Sequence, residues 1–310
     1  MKQIKYFALA ACFTMAFTAC DDMLDTEDYT KQNTSNFPAT TNDVANELGA
    51  LYGVMGEINN FPLETPYYID ELMSDDAYGG GQCDADAEPK ALHHFLSTGS
   101  EQFSHLWNRS YAGIARANAI IATIDNVDWA GDNESRDQAL GEAFFMRGYY
   151  YMGLTQHFGD IPLVVSTTVS DTKDASAEER IWPQILSDFV SGANLMKKKL
   201  DGHATKYAAE GFLARAYMFY EGFYKKAGEL AAANIADVEL PEQEGVTASL
   251  SKQKVIDYLK DAINNGGYSL VEDFRLLWQY TNELTAPDYP FVKDLADAGK
   301  FWAGNGNSEE

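Results

Sequence analysis

The chain has 310 residues, of which 45% are hydrophobic, and this is enough for one large globular domain or two ordinary ones. Its 47 acidic residues against 23 basic ones give a formal net charge of −24. That charge excludes nucleic-acid binding through phosphate neutralisation and argues against docking to an anionic membrane through a basic surface. Aromatic residues make up 13% of the chain, a high share for an acidic protein, which favours an aromatic-lined binding surface.

The N-terminus has the features of a secretory signal peptide. Two lysines precede an uncharged, mostly apolar run over residues 6–19, which is too short to span a bilayer as a helix. Ala19 and Cys20 close this run as in a bacterial lipobox. We therefore predict a signal peptide over residues 1–19 and membrane attachment through a lipid on Cys20; the alternative is an ordinary signal peptide with an incidental cysteine. Residues 20–41 are polar and turn-rich, which predicts a lipidated tether and an extended arm.

Residues 42–265 are predicted to form one helical domain, because apolar residues recur there at helical spacing. Thr41 or Asn42 caps the first helix, which runs to about residue 58, and a long loop rich in Pro and Gly follows over 60–88. Later helices are predicted over about 101–126 (capped by Ser100), 133–158, 178–199, 205–220, 225–236 and 251–264.

The helix over 133–158 is predicted to stop at Gly159, with Pro162 shortly after it and an extended segment over 161–165. Paired amphipathic helices without a convincing strand ladder indicate a mostly α fold of tetratricopeptide-like helical hairpins with long irregular loops. Small residues on the helix over 205–220 allow its neighbours to approach closely. Residues 266–310 are predicted to be an irregular, loop-rich region.

Six segments form an ordered set of motifs: a Cys followed by acidic residues, a W…Y..I.raN helix, a gEA.FlRAyyY helix, an fGdvPLv turn and two later helices. They lie at residues 20–25, 107–118, 141–151, 158–164, 181–200 and 204–220. Taken together and in this order, they resemble the SusD/RagB family of outer-membrane lipoproteins. Family members usually run longer. The end at Glu310 resembles a family segment cut short, so C-terminal truncation is expected.

The resemblance implies a cell-surface lipoprotein that acts as the lid of a TonB-dependent, SusC-like outer-membrane transporter. Such proteins capture oligosaccharides, or in some branches peptides, and need neither catalysis nor a cofactor. Their helical hairpins contact the transporter, and the remaining loops build the ligand site. We therefore expect glycan binding here, with peptide binding in the same fold as the alternative.

The sequence contains no catalytic constellation: the His-Glu-x-x-His, Gly-x-Ser-x-Gly and Walker-type patterns are missing. We therefore predict a protein that is not an enzyme and holds no metal. A glycoside hydrolase is the less favoured alternative, because so many acidic residues provide carboxylate pairs by chance. A structural helical-repeat scaffold without a small ligand is another.

Two clusters of metal-binding residue types are interpreted as incidental. His93 and His94 are adjacent, and neighbouring side chains on a helix or strand point apart, so solvated polar histidines are favoured over a metal site. Acidic residues alternate over 84–88 as in a calcium loop, but Pro89 and Phe95 replace the Gly and Glu that an EF-hand requires. A loosely held Ca²⁺ is the minor alternative.

Two residues of the family-like helix, Glu142 and Arg147, are interpreted as an ion pair that ties helices together rather than as ligand contacts. The Tyr149-Tyr150-Tyr151 run is interpreted as core rather than as a sugar platform.

A glycan platform requires exposed, flat aromatic side chains on loops. Trp129 and Trp182 lie beside or within amphipathic helices and are predicted to be packing residues. Tryptophan and tyrosine near residues 279–302, in the Gly-rich loop over 74–82 and at the start of one helix are candidates for stacking. The predicted stacking residues are Tyr78, Trp107, Trp278, Tyr280 and Trp302, with Asp75 and Asp76 as acceptors for sugar hydroxyls.

Overall fold

The computed structural model describes residues 37–60, 65–74, 76–78, 87–96, 103–168, 173–197, 202–225, 236–246 and 248–303. Within these ranges, no helix is long and apolar enough to cross a membrane. The predicted lipidation site Cys20, the hydroxyl acceptor Asp75 and the helix cap Ser100 lie outside the described residues, and so does nearly all of the helix predicted over 225–236.

The first half of the chain is helical. Its elements are α1 (Thr41–Asn59), α2 (Pro66–Met73), α3 (Ala87–His93), α4 (Ser104–Thr123), a 3₁₀ turn (Ile124–Asn126) and α5 (Asn133–Phe158).

Helices and short strand pairs alternate in the second half. The elements are β1 (Ile161–Pro162), β2 (Asp174–Ala175), a π-helical turn (Ala177–Ile181), α6 (Trp182–Leu195), α7 (Lys206–Tyr224), β3 (Val238–Glu239), β4 (Ser249–Leu250), α8 (Lys252–Asn265), four 3₁₀ turns (Phe274–Leu277, Gln279–Thr281, Ala286–Asp288, Pro290–Val292) and α9 (Lys293–Asp297). The pairs β1–β2 and β3–β4 are antiparallel.

Local chemistry sets the helix ends. The N-cap of α1 is Thr40, one or two residues before the predicted Thr41 or Asn42, because Thr40 and Asp43 form a reciprocal capping box. Thr40 Oγ1 accepts from the Asp43 amide at 3.2 Å, and Asp43 Oδ2 accepts from the Thr40 amide at 2.9 Å. α5 ends at Gly159, whose φ of 71° lies in the region that favours glycine. The predicted bounds of α5 and its stop are confirmed.

α5 is the central helix of the body. Every residue from Gln138 to Gly148 is buried, which a helix achieves only when neighbours cover all of its faces. α1, α4 and α6 pack on it, α6 also packs on α7, and α7 on α8. The predicted mostly α, tetratricopeptide-like fold is confirmed.

The prediction of one long loop over 60–88 was wrong. α2 begins there at Pro66, with Thr65 accepting from the Tyr68 amide at 3.1 Å, and α3 begins at Ala87. The two helices pack on each other. Ile69, Leu72 and Leu92 join the core of the body, so long-range burial stabilises helices that are too short to form alone.

Residues 271–303 have a small core of their own. Leu276, Ala286, Val292 and Leu295 are buried together, and half-buried hydrophobic side chains pack against them. This core sits among the 3₁₀ turns and α9, so the region predicted to be irregular is nevertheless built on a defined apolar cluster.

Candidate functional site

Five aromatic side chains group on the region after α8. We call Phe274, Trp278, Tyr280, Tyr289 and Phe291 the aromatic surface. The rings of Phe274 and Trp278 meet at 5.8 Å, and Tyr280, Tyr289 and Phe291 form a second group with centroids 5.2 to 6.4 Å apart. Trp278 is 48% exposed and Phe291 59%. An edge-to-face contact covers one face of only one ring, so flat faces remain open to solvent.

The small core holds this surface in place. The fully buried Thr281 donates from its hydroxyl to the carbonyl oxygen of Trp278 at 2.7 Å and accepts, at its own carbonyl, from the amide of Trp302 at 2.9 Å. Tyr280 packs directly against the core formed around Leu276. These contacts order the backbone before a ligand arrives, which lowers the entropy lost on binding.

Charged groups lie along the same turns. Arg275 donates to Asp273, with Nη2–Oδ2 at 2.8 Å, and to Asp294, with Nη1–Oδ1 at 3.1 Å. The guanidinium lowers the pKa of Asp273 to about 2 and also lowers that of Asp294. Both carboxylates are therefore ionised at neutral pH and can accept hydrogen bonds from hydroxyl groups.

The structure brings some of the predicted stacking residues together and places another one elsewhere. Trp278 and Tyr280 belong to the aromatic surface, and Trp302 is half-buried beside them through its bond to Thr281. Trp107 lies instead on the helical body, half-buried between Tyr111 and Phe158 at 5.0 and 5.1 Å.

The loop after α2 presents an exposed tyrosine. Tyr78 is 64% exposed, and its ring meets that of His93 in α3 edge to face at 5.0 Å. Asp76 is exposed, and its amide donates to Ser74. Both residues are thus accessible to a ligand.

Three members of the aromatic surface were missed by sequence reasoning. Phe274, Tyr289 and Phe291 are not among the predicted stacking residues. Their mutual contacts depend on how the 3₁₀ turns fold over the small core, which no local pattern encodes. The predicted packing roles of Trp129 and Trp182 are confirmed: Trp182 is fully buried, and Trp129 donates to the Ile124 carbonyl.

Arg147 belongs to a buried structural network. Its Nε and Nη2 donate to the two carboxylate oxygens of Asp188 in α6 at 3.0 and 2.7 Å, and its Nη1 donates to Asn118 in α4 at 2.9 Å. The arginine and the aspartate are both buried. The predicted role of tying helices together is confirmed for this residue.

Glu142 lies in a different network, so the two residues do not pair with each other. Its carboxylate accepts from Tyr52 at 2.7 Å and from Gln138, and it lies 2.9 Å from His203 Nδ1. Five residues along a helix amount to about 140° around its axis, which turns the two side chains toward different neighbours. Of the tyrosine run, Tyr150 and Tyr151 are buried as predicted for core residues, whereas Tyr149 is half-buried.

The orientation of the two adjacent histidine side chains differs from the prediction. The rings of His93 and His94 do not point apart but meet edge to face at 4.9 Å, because α3 ends at His93 and the chain turns there. No group of three or more His, Cys, Asp or Glu side chains suited to a metal ion occurs in the described part of the chain.

A family model described as starch-binding, associating with the outer membrane, matches residues 22–218. The chain belongs to the SusD/RagB family. A SusD-like protein of Bacteroides ovatus is 24% identical over 187 residues, which are 59% of this chain and 31% of that relative.

Solved structures of SusD-like proteins share the fold. A laminarin-binding SusD-like protein superposes with a TM-score of 0.60 at 17% identity, covering 79% of this chain and 49% of that one. Surface glycan-binding protein A of Bacteroides thetaiotaomicron, in complex with laminarihexaose, gives 0.58 at 15% identity, covering 77% and 46%. The chain thus spans between about a third and a half of these SusD-like proteins.

Proposed function

We propose that this chain is a cell-surface glycan-binding protein that binds oligosaccharides at the aromatic surface. The observation that carries the proposal is the exposure of Trp278, Phe274 and Phe291 on an ordered apolar core. Sugars present C–H faces that stack on aromatic rings, and their hydroxyls are donors for ionised carboxylates such as Asp273 and Asp294. The glycan ligands of two fold neighbours support this ligand class.

The cellular role that we propose is delivery of the bound glycan to a TonB-dependent, SusC-like transporter. The outer-membrane association in the description of the family supports this setting. A lipid on Cys20 would hold the protein there, as its place at the end of the apolar N-terminal run indicates. Co-purification of the chain with such a transporter from outer membranes tests the partnership. A purified transporter that lacks this chain would contradict the proposed partnership.

Binding is tested by calorimetry with laminarihexaose, maltohexaose and a mixed peptide pool. We expect at least one glycan to bind and Trp278→Ala to weaken its affinity by roughly tenfold or less, because one aromatic contact contributes on the order of 1 kcal/mol beyond buried area. Phe223→Ala is the matched control: Phe223 is 70% exposed on α7, outside the aromatic surface, and its loss should leave affinity unchanged.

Two outcomes would count against the proposal. Unchanged affinity in a folded Trp278→Ala variant would remove the aromatic surface from the site. Binding of peptides and of neither glycan would assign the chain to the peptide-binding alternative.

A further inference from the structure

A second concave site lies on the helical body. A cleft of about 270 Å³ is lined by residues from α1, α2, α4, α5 and α7, and none of them belongs to the aromatic surface. The lining residues that bear on a ligand are Asp70, Tyr149, Gly153, His157, Phe212 and Arg215.

The cleft has room for one small ring. Gly153 lines it from α5, and a Cβ added to this glycine would meet nothing within 4 Å. Tyr149 and Phe212, which are both half-buried, contribute aromatic side chains to the lining. Because pockets for drug-sized ligands begin at about 300 Å³, the volume suits a single sugar residue rather than an oligosaccharide.

A histidine and a carboxylate lie side by side in the cleft. His157 Nδ1 lies 2.7 Å from the Gly153 carbonyl oxygen, which only accepts, so this contact assigns the hydrogen to Nδ1. Nε2 is buried 3.2 Å from Asp70 Oδ1, outside hydrogen-bonding geometry. The Asp70 side chain is exposed, so its carboxylate can accept a hydrogen bond from a ligand hydroxyl.

An exposed arginine lines the same cleft. Arg215 is exposed, and no described residue forms an ion pair or hydrogen bond with its guanidinium. Burial raises the pKa of Tyr149, and the nearby positive charge of Arg215 partly offsets that shift. The Arg215 guanidinium therefore offers a bidentate contact to an anionic ligand in the cleft.

We propose that this cleft binds one uronic acid residue. The sugar carboxylate pairs with Arg215, a neighbouring hydroxyl donates to Asp70, and a C–H face of the ring lies against Tyr149 and Phe212. The inference rests on the proposed glycan-binding function and specifies the sugar class that a second, separate site selects.

Methyl β-D-glucuronide and methyl β-D-glucoside are matched probes, because the glucuronide has a carboxylate where the glucoside has a hydroxymethyl group. Their affinities are measured by chemical-shift titration of the labelled full chain. We expect the glucuronide to bind about tenfold or more tightly than the glucoside, because a charge-assisted bidentate contact is among the stronger hydrogen bonds. Arg215→Gln should abolish this preference, and added salt should weaken it.

Substitutions at Gly153 test the location. Gly153→Phe should fill the cleft and abolish glucuronide binding, whereas Gly153→Ala should retain it. Equal affinity for the two probes, an unchanged preference in Arg215→Gln, or glucuronide binding that survives in Gly153→Phe would overturn the proposal. Because Arg215 is exposed, its variant stays informative even if Gly153→Phe does not fold.

The two proposals fail separately. If laminarihexaose binds in a Trp278-dependent way and the glucuronide does not bind, only the uronate site is overturned. If the glucuronide binds in an Arg215-dependent way and no oligosaccharide depends on Trp278, the aromatic surface is overturned and the cleft remains.

Discussion

Replacing Arg147 by Met is expected to destabilise the helical body by about 3 kcal/mol. The side chains of Arg147 and Asp188 are 3% and 0% exposed, so the substitution leaves a carboxylate buried without its cation. Breaking such a pair typically costs about 3–5 kcal/mol. We expect a loss of stability at the lower end of this range, because the side-chain amides of Gln184 and Gln243 continue to donate to Asp188 Oδ1 at 2.9 and 3.0 Å.

The matched control is Arg136→Met in the same helix. Arg136 has three carboxylate partners, but these are 75%, 39% and 48% exposed, so solvent screens the pairs and the loss should stay near 1 kcal/mol or below. Both variants are compared with the wild type by urea unfolding followed by far-UV circular dichroism, provided that the slope with denaturant is unchanged.

A double variant separates the charge effect from lost packing. Arg147→Met/Asp188→Asn should recover part of the stability lost in Arg147→Met, because the buried residue left behind is then neutral. Equal losses in Arg147→Met and Arg136→Met would refute this reasoning, and so would a double variant no more stable than Arg147→Met alone.

Three further expectations concern packing, pH and anchoring. Gly113→Ala should destabilise the protein by about 1–2 kcal/mol, because the new methyl overlaps the Tyr150 ring, whereas Gly153→Ala should be neutral or stabilising by up to about 1 kcal/mol; thermal melts of the two variants check the contrast. Burial raises the pKa of Glu210 from 4.5 to about 8, so its contribution to the free energy of unfolding is present below pH 4.5 and is lost as the pH rises toward 8. Glu210→Gln should remove that pH dependence in unfolding measurements, and an unchanged profile would contradict the assignment. Cys20→Ala should leave the protein soluble or uncleaved in cell fractionation, and partitioning with membranes as in the wild type would place the anchor elsewhere.

Local sequence patterns determined much of the helical framework. The bounds of α5, its stop at Gly159 and the helix predicted over 251–264 follow from apolar periodicity and terminal residues. These features depend on residues close together in the chain, whose preferences act before any tertiary contact forms. The family resemblance likewise comes from ordered segments of the sequence.

Tertiary packing alone decided which distant groups meet. Arg147 and Asp188 are 41 residues apart, the cleft is lined by five helices, and α2 is stabilised where the sequence predicts a loop. The aromatic surface depends in the same way on how short 3₁₀ turns fold over Leu276 and Val292. The spacing of apolar residues and the capping residues specify one helix or strand at a time. Burial and ion pairing depend instead on how these elements are placed relative to one another, and only the packed core fixes that placement.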